Sequence, residues 1–181
     1  MKGYINFFDI GAAGGIYSSL SEIAFKGINL FRFFGVEPNK KEILKLKKGP
    51  YEKLIEKGLS GRGGKRDLYI TKDPFVCSLL KPNLENIHNK QLYRFQIIDV
   101  EKVDTVSLND LEKIINVNPH WMKIDVQGLE GEIITNYVFN DELVFVILEL
   151  SSRETYEGQI LMNKILDYMD YNGFNPMRIS Y

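Results

Sequence analysis

The stretch FFDIGAAGG at residues 7–15 constrains the fold of this chain most strongly, because an apolar run ends on Asp9 and gives way to small residues. A chain that leaves the end of a buried strand here must turn sharply. Gly11, Gly14 and Gly15 accept positive φ at little steric cost and let the backbone approach a ligand. A helix predicted over residues 16 to about 27 would point its first N–H groups into the same crevice, which favours a nucleotide-type ligand.

A carboxylate at the end of the next apolar run strengthens this interpretation. Glu37 ends LFRFFGVE, about 20 residues beyond the glycines, at the spacing where a second strand brings a carboxylate to ribose hydroxyls. Either feature alone is also typical of a plain turn and a solvated glutamate. Together they predict a ligand that contains adenosine.

The composition limits the class of protein. The 181 residues are 44% hydrophobic with a net charge of −1, which predicts one globular domain over residues 1–181. This near-neutral charge lacks the excess of Lys and Arg that is typical of nucleic-acid-binding proteins. No apolar run in the sequence is long enough to span a membrane. With no secretory signal recognised, a cytoplasmic location is expected. One cysteine and two histidines exclude an internal disulfide and predict no metal centre.

Strand-like and helix-like segments alternate, which predicts an α/β fold: a doubly wound, mostly parallel, Rossmann-like sheet with helices on both faces. Strands are predicted at residues 4–8, 30–36, near 51, 121–124, 143–148 and 175–180, with 143–148 central because it is the most apolar run. After the first helix, further helices are predicted at residues 40–49, 108–115 and 157–174. Alternating patterns at residues 67–73 and 93–107 predict an added β-hairpin. The segment between Pro74 and Pro82, which holds Cys77 and Ser78, is expected to cover the carboxyl ends of the strands.

The segment KIDVQGLEGEII has the same pattern as the first loop and its flanks. A strand ends on Asp125, and a glycine and a helix with glutamates in its first turn follow. Ligands of doubly wound sheets lie where the strand order reverses, so Asp9 and Asp125 are expected to face each other there. Helix capping is the alternative role for Asp125. For Glu130 the alternative is a favourable charge at a helix start.

Five segments in this order resemble the FkbM-type methyltransferases: DIGAAGG with Tyr17 and Ser18, GVEPN, LYITKDPFVCSLLKPN, WMKIDVQGLEGEII, and LEL followed by YEGQ. The resemblance covers nearly the whole chain. It implies the class I methyltransferase fold, S-adenosyl-L-methionine as cofactor, and O-methylation of a hydroxyl on a sugar, polysaccharide or secondary-metabolite acceptor.

The resemblance also implies roles for single residues. Around the cofactor, Asp9, Gly11 and Gly15 match the motif beside the methionine part, and Glu37 matches the ribose-binding carboxylate. The other residues assigned to the cofactor are Tyr17 and Asn39, in the same two motifs, and Ser60, in the loop expected beside the adenine. Asp125 is the candidate catalytic base, and Ser78, Gln127 and Glu130 are assigned to the substrate side. The family usually has Glu where this chain has Gln127.

Two departures and two alternatives accompany this resemblance. The first strand begins almost at Met1, and the final antiparallel strand of the family is missing, so truncation at both ends is expected. The exposed sheet edge would then be completed by a second copy in a homo-oligomer, or the chain would be a fragment. The functional alternatives are a non-catalytic cofactor-binding scaffold and an NAD- or nucleotide-sugar-dependent Rossmann enzyme, although the first loop lacks regular G-x-G-x-x-G spacing.

Overall fold

A parallel sheet forms the centre of the computed structural model, which describes residues 3–16 and 28–177. In chain order the strands are β1 (Ile5–Ile10), β2 (Phe31–Val36), β3 (Tyr51–Ile55), β4 (Gly58–Leu59), β5 (Gly64–Thr71), β6 (Ile97–Val106), β7 (Trp121–Ile124) and β8 (Phe145–Leu148). Five of them form the main sheet in the order β3-β2-β1-β7-β8, and each described pairing in it is parallel. The predicted α/β class with a mostly parallel sheet is confirmed, and its strand order reverses between β1 and β7.

Strand β1 is buried on both faces, and its side chains alternate between two apolar clusters. Phe8 and Ile10 belong to the main core, whereas Phe7 packs with Ile16 and Phe33 on the other face. The strand runs two residues further than the predicted 4–8, because its ladder with β2 continues to the pair Ile10↔Val36. Asp9 therefore lies inside the strand, on the face of Phe7.

Four α-helices are described: α1 (Lys40–Leu46), α2 (Leu108–Ile115), α3 (Glu130–Thr135) and α4 (Met162–Tyr171). The last three add side chains such as Leu111, Ile133 and Ile165 to the main core. Helix α2 has its predicted bounds, since the Ser107 side chain accepts from the Asp110 backbone N–H at its start. Helix α4 begins later than predicted, after a turn in which Gly158 has φ +78°. Except for residue 16, the helix predicted over 16–27 falls outside the described residues.

The predicted β-hairpin is present as part of a second sheet with the order β4-β6-β5. Strands β5 and β6 are antiparallel, from the pair Gly64↔Thr105 to the pair Thr71↔Ile97. The short strand β4 adds to β6 in parallel, which the sequence did not predict. The long connection between β5 and β6 contains three 3₁₀ turns, Pro74–Val76, Leu84–Asn86 and Asn89–Gln91.

Strand β8 corresponds to the apolar run that was predicted to be central, yet it is the outermost described strand beside β7. Val146 and Leu148 pack against the main core, and the Phe145 ring packs at a tilt against Trp121 with ring centroids 4.8 Å apart. Apolar side chains are thus needed on both faces even at this outer position. Of the last predicted strand, residues 175–177 are not in a strand, and residues 178–181 lie outside the described part of the chain.

Candidate functional site

A pocket lies at the carboxyl ends of β1, β2 and β7, where the strand order reverses; we call it the switch-point pocket. Its lining includes Ile10, Val36 and Asp125 from the strand ends, and Phe75 and Ser78 from the segment that follows β5. Crevices at this position are where open α/β sheets bind ligands. The prediction that the segment between Pro74 and Pro82 covers the strand ends is confirmed.

The first loop, residues 11–15, is wedged between its two neighbouring strands. Its Gly11 and Ala12 N–H groups both donate to the Val36 carbonyl oxygen, at 3.0 and 3.1 Å. Gly11 has φ +72°, and a Cβ atom on it would lie 1.7 Å from the Asp125 carbonyl oxygen. Gly15 has a similar φ of +77°, but a Cβ there would only meet Leu46 at 3.6 Å. Glycine is therefore required by contact at the first position and by backbone conformation alone at the second.

Glu37 lines the switch-point pocket and holds the first loop at the same time. Its Oε2 accepts from the Ala13 N–H at 3.2 Å, and its Oε1 accepts from the Asn39 N–H at 2.8 Å. Only 5% of the residue is exposed, and this burial raises the pKa of Glu37 to about 7 against the effect of the two backbone donors. A carboxylate has about four acceptor positions, so it can accept ribose hydroxyls as well.

The second loop, residues 125–129, is held by the first residue of α3. Glu130 accepts from the backbone N–H groups of Val126 and Gly128, both at 2.9 Å. It is 2% exposed, and burial raises its pKa to about 7. Glu130 does not line the pocket, and its carboxylate is directed at the loop backbone, which agrees with the alternative of a structural role at the helix start.

Gln127 connects the second loop by hydrogen bonds to three neighbouring parts of the structure. It has φ +58°, and its Nε2 donates to Asp125 Oδ1 and to Glu149 Oε2, both at 2.8 Å. Its Oε1 accepts from the Tyr156 hydroxyl at 3.0 Å, and its carbonyl oxygen accepts from the Ser78 hydroxyl at 2.6 Å. These hydrogen bonds hold Gln127 in its unfavourable backbone conformation. The bond from Ser78 also joins the second loop to the segment between Pro74 and Pro82.

A buried lysine lies beneath both loops. Lys123 Nζ is 3.2 Å from the Gly11 carbonyl oxygen, 3.5 Å from Asp9 Oδ1 and 3.2 Å from Asp125 Oδ2. Burial alone would lower the pKa of Lys123, but the two carboxylates outweigh it and hold the pKa above its usual value. The ammonium group is therefore charged and ties the ends of β1 and β7 together.

Asp9 faces this lysine and does not reach the pocket lining. It is fully buried, and its Oδ2 accepts from the Tyr51 hydroxyl at 2.5 Å. Its Oδ1 has no hydrogen-bond partner in the described structure, and burial raises the pKa of Asp9 in spite of Lys123 and Tyr51. Its contacts are those of a residue that fixes the strand ends beneath a ligand site.

Asp125 and Glu149 form a carboxyl pair at the ends of neighbouring strands. Burial alone would raise the pKa of Asp125, but hydrogen bonds with Glu149 and Gln127 and the charge of Lys123 bring it below its usual value. The hydrogen bond shared with Asp125, followed by partial burial, raises the pKa of Glu149 to about 8. Lys123 and Gln127 thus stabilise the ionised form of Asp125.

The other predicted site residues differ in their positions. Asn39 lines the pocket and caps α1 by accepting from the Lys41 N–H. Ser78 also lines the pocket and is 2% exposed. Ser60 is fully buried and shares a hydrogen bond with Thr105 at 2.8 Å, so it braces the second sheet. Tyr17 lies outside the described residues.

Sequence reasoning missed three residues of the site: Lys123, Glu149 and Tyr156. A lysine inside an otherwise apolar strand was a readable signal for the first, because a charge buried in a sheet requires carboxylate partners. Glu149 follows a strand end, as Glu37 does, and the same reading could have found it. Tyr156, whose hydroxyl donates to Gln127, begins the YEGQ segment that contributed to the family resemblance, but that segment gave no role for the side chain.

The histidines and the cysteine have the following positions. His120 accepts from the Asn6 backbone N–H at the amino end of the sheet, opposite the pocket. His88 caps a 3₁₀ turn by accepting from Lys90. Cys77 lines the pocket. Within residues 3–16 and 28–177 no cluster of metal-ligating side chains occurs, and no helix there is long and apolar enough to cross a membrane.

This fold and this site define a class of protein. A parallel sheet with a reversal of strand order, a glycine loop at that point and a strand-end carboxylate in the pocket wall are the features of α/β proteins that bind nucleotide-type ligands.

The chain belongs to the FkbM methyltransferase family, because the family model described as "Methyltransferase FkbM domain" matches residues 9–176. No curated protein sequence matches it. Among solved structures, methyltransferase FkbM from Methylobacillus flagellatus KT is similar at 14% identity, with a TM-score of 0.44 over 74% of this chain. The matched part is 28% of that protein, so this chain spans little more than a quarter of its length.

Proposed function

We propose that this chain is an S-adenosylmethionine-dependent O-methyltransferase domain over residues 1–181 that acts on a hydroxyl of a sugar, polysaccharide or secondary metabolite. Membership of the FkbM family supports methyl transfer. The observation that carries the cofactor assignment is Glu37, a buried carboxylate that lines the switch-point pocket beside the first loop. The expected location in the cytoplasm and association through the sheet edge stay predictions.

The residues of the pocket fit an adenosine-containing cofactor. Glu37 would accept the ribose hydroxyls, and the apolar side chains of Val36, Leu59 and Leu79 in the lining suit a purine ring. The first loop brings backbone and only methyl-sized side chains to the carboxyl ends of β1 and β7, which suits the methionine part. When bound, S-adenosylmethionine supplies an electrophilic methyl group on its sulfonium.

The protein's own contribution is alignment, exclusion of water and a place for one proton. An acceptor hydroxyl loses its proton during or after attack on the methyl group, so a carboxylate near the strand ends assists. Asp125 lines the pocket and is the base candidate from sequence. Its lowered pKa keeps it ionised and electrostatically useful, but makes it a weak base.

Calorimetric binding of S-adenosylhomocysteine tests this proposal, with Glu37→Gln as the test variant and Glu130→Gln as its control. Both glutamates are buried and accept two backbone N–H groups, but only Glu37 lines the pocket. We expect Glu37→Gln to weaken binding by roughly 10–100-fold, the range for hydrogen bonds to a charged group, and Glu130→Gln to change it little.

The other outcomes identify the alternatives. Tight binding of NAD in place of S-adenosylhomocysteine would indicate the nucleotide-dependent Rossmann enzyme. Binding of S-adenosylhomocysteine without transfer of labelled methyl groups to any of a panel of hydroxylated sugars and polyketides would favour the non-catalytic scaffold. Absence of binding to the folded wild-type chain would contradict the proposal itself.

A further inference from the structure

Strand β6 is paired along its whole length on one side but only at its end on the other. It lies between β4 and β5 in the second sheet, and β5 pairs with nearly all of it. Strand β4 pairs only with Thr105 and Val106. Among the described residues, no strand pairs with this second side of β6 ahead of Thr105. We call residues 98–103 on that side the free edge.

The backbone groups of Val100 face the free edge. Its partner on β5 is Tyr69, whose N–H donates to the Ser78 carbonyl oxygen at 2.8 Å and whose carbonyl oxygen accepts from the Ser78 N–H at 3.3 Å. Tyr69 therefore directs its backbone groups away from β6. In an antiparallel ladder, both members of such a pair point away from each other, so Val100 points to the free edge. Lys102, two residues further along the strand, does the same.

The side chain of Asp99 occupies the position that a neighbouring strand would take. Its Oδ1 accepts from the Val100 N–H at 2.8 Å. A carbonyl oxygen of an added strand would replace this acceptor, because strand addition pairs the open N–H and C=O groups of a sheet edge. The Asp99 carboxylate would then be released to pair with a cation.

The side chains along the free edge are apolar or acidic. Ile98 and Val100 are 60% and 47% exposed. Asp99 and Glu101, on the opposite face from Val100, are exposed as well. The base of this stretch, Lys102, already pairs with a carboxylate of β5 at 2.6 Å. The free edge thus offers two carboxylates that have no ion pair within the described part of the chain.

A second copy of β6 matches this edge poorly. If two antiparallel copies are related by a two-fold axis centred on Val100, Asp99 of one copy lies opposite Glu101 of the other. If the axis is centred on Glu101, that residue lies opposite itself. Like charges directly opposite each other destabilise a strand pair. Charge complementarity therefore favours a segment with basic residues opposite Asp99 and Glu101.

We propose that the free edge of β6 binds an extended segment of a partner protein in which Lys or Arg alternates with β-branched residues. The basic side chains pair with Asp99 and Glu101 on one face, and the β-branched side chains cover Val100 on the other. The added strand extends the sheet whose Leu68, opposite Glu101, lines the switch-point pocket. This interaction involves no cofactor and does not depend on the proposed function.

Amide hydrogen exchange of the full chain, measured by NMR with and without a synthetic peptide, tests this inference. The probe is acetyl-Lys-Val-Lys-Val-Lys-Val-Lys-amide at about 1 mM, a concentration that populates even a weak complex. Exchange at Val100 and Lys102 should slow by about tenfold or more, because their N–H groups become hydrogen-bonded. Glu101, whose N–H faces β5, should change little. The same peptide methylated on its valine nitrogens should have no effect, because it cannot pair.

Variants of the protein separate strand pairing from general attraction between opposite charges. Glu101→Lys should weaken binding of the basic peptide by about tenfold. A peptide with Glu in place of Lys should bind this variant more tightly than it binds wild type. Asp170→Lys is the matched control, because it makes the same change in net charge at an exposed position of α4; its affinity for the basic peptide should stay close to that of wild type. Equal weakening in the two variants would overturn the inference.

Three further outcomes also contradict it. If the peptide does not slow exchange at Lys102, the edge does not accept a strand. If exchange at Val100 and Lys102 is already slow in the monomer without peptide, another part of this chain occupies the edge. If analytical ultracentrifugation shows a dimer and the same amides are protected only in that dimer, the edge belongs to a second copy.

Discussion

The two loops at the carboxyl ends of β1 and β7 use the same device in different ways. Each has a buried glutamate that accepts from two backbone N–H groups, and burial raises both pKa values to about 7. Glu130 serves its own loop from the next helix, whereas Glu37 reaches the first loop from β2, 24 residues away in the chain. A local cap fixes only a loop, while a carboxylate from another strand fixes a loop and also forms a wall of the pocket.

Lys123 is the residue that joins the two loops, and its removal should have the largest effect. Lys123→Met leaves Asp9 and Asp125 without their shared cation, which should lower the free energy of unfolding by about 3–5 kcal/mol. Urea denaturation measures this, with Lys113→Met as the control, because Lys113 pairs with Asp110 on the surface and should contribute little to stability. Equal losses in the two variants would show that Lys123 does not tie the loops.

The contact between the loops predicts the next largest effect. Gly11→Ala drives a Cβ atom into the Asp125 carbonyl group and should destabilise the protein by about 3 kcal/mol. Gly15→Ala has similar backbone strain without the clash, so about 1–2 kcal/mol is expected. The difference in thermal stability between the two variants measures the cost of the Cβ clash apart from the cost of backbone strain. If they are equally stable, the close approach of the loops is not rigid.

The two glutamates can be separated by stability and binding measured together. Glu130→Ala and Glu37→Ala should each cost about 2 kcal/mol of unfolding free energy, since each leaves two backbone donors without their acceptor. Only Glu37→Ala should also abolish binding of S-adenosylhomocysteine. A loss of binding in Glu130→Ala at a temperature where it is fully folded would mean that the second loop is part of the cofactor site.

The raised pKa of Glu130 predicts an effect that develops gradually, a pH dependence of stability. Because the folded pKa of about 7 exceeds its ordinary value of 4.5, the folded state holds the proton more tightly than the unfolded state. This stabilisation is complete below about pH 4.5 and is lost as the pH rises to about 7. Its slope is at most about 1.4 kcal/mol per pH unit.

Glu130→Gln cannot titrate, so its stability should fall less steeply between pH 5 and 7 (roughly the window between the two pKa values). Denaturation curves at several pH values check this. Exposed Glu142→Gln serves as the control and should keep the wild-type slope. A Glu130→Gln slope identical to wild type would show that the carboxyl group is ionised at its ordinary pKa.

Much of the secondary structure could be predicted from the sequence, because its signals are local. The predicted bounds of α2 and β7 agree with the structure. A capping serine marks the start of α2, and a short apolar run marks β7, and both signals are visible in the local sequence alone. The position of β8 in the sheet could not be read, because an apolar run records burial of the side chains and not the order of the strands.

The candidate site was predicted in part for the same reason. Gly11 and Glu37 were found because a positive-φ loop and a strand-end carboxylate leave marks in the sequence. The role of Asp125 as proton acceptor stays a prediction. Its environment could not be read from the sequence, because Lys123, Gln127 and Glu149 meet one carboxyl group, and no local pattern contains such a meeting.

The sequence by itself determined the parallel α/β architecture, the two loops and the family, because these follow from strand and helix periods, glycine positions and short ordered motifs. Only the tertiary structure decided which carboxylates accept from loop backbone and which ones line the pocket. The physical reason is that a carboxyl group's role is set by its burial and by the charges and donors around it. In this protein those neighbours come from strands and loops far apart in the chain.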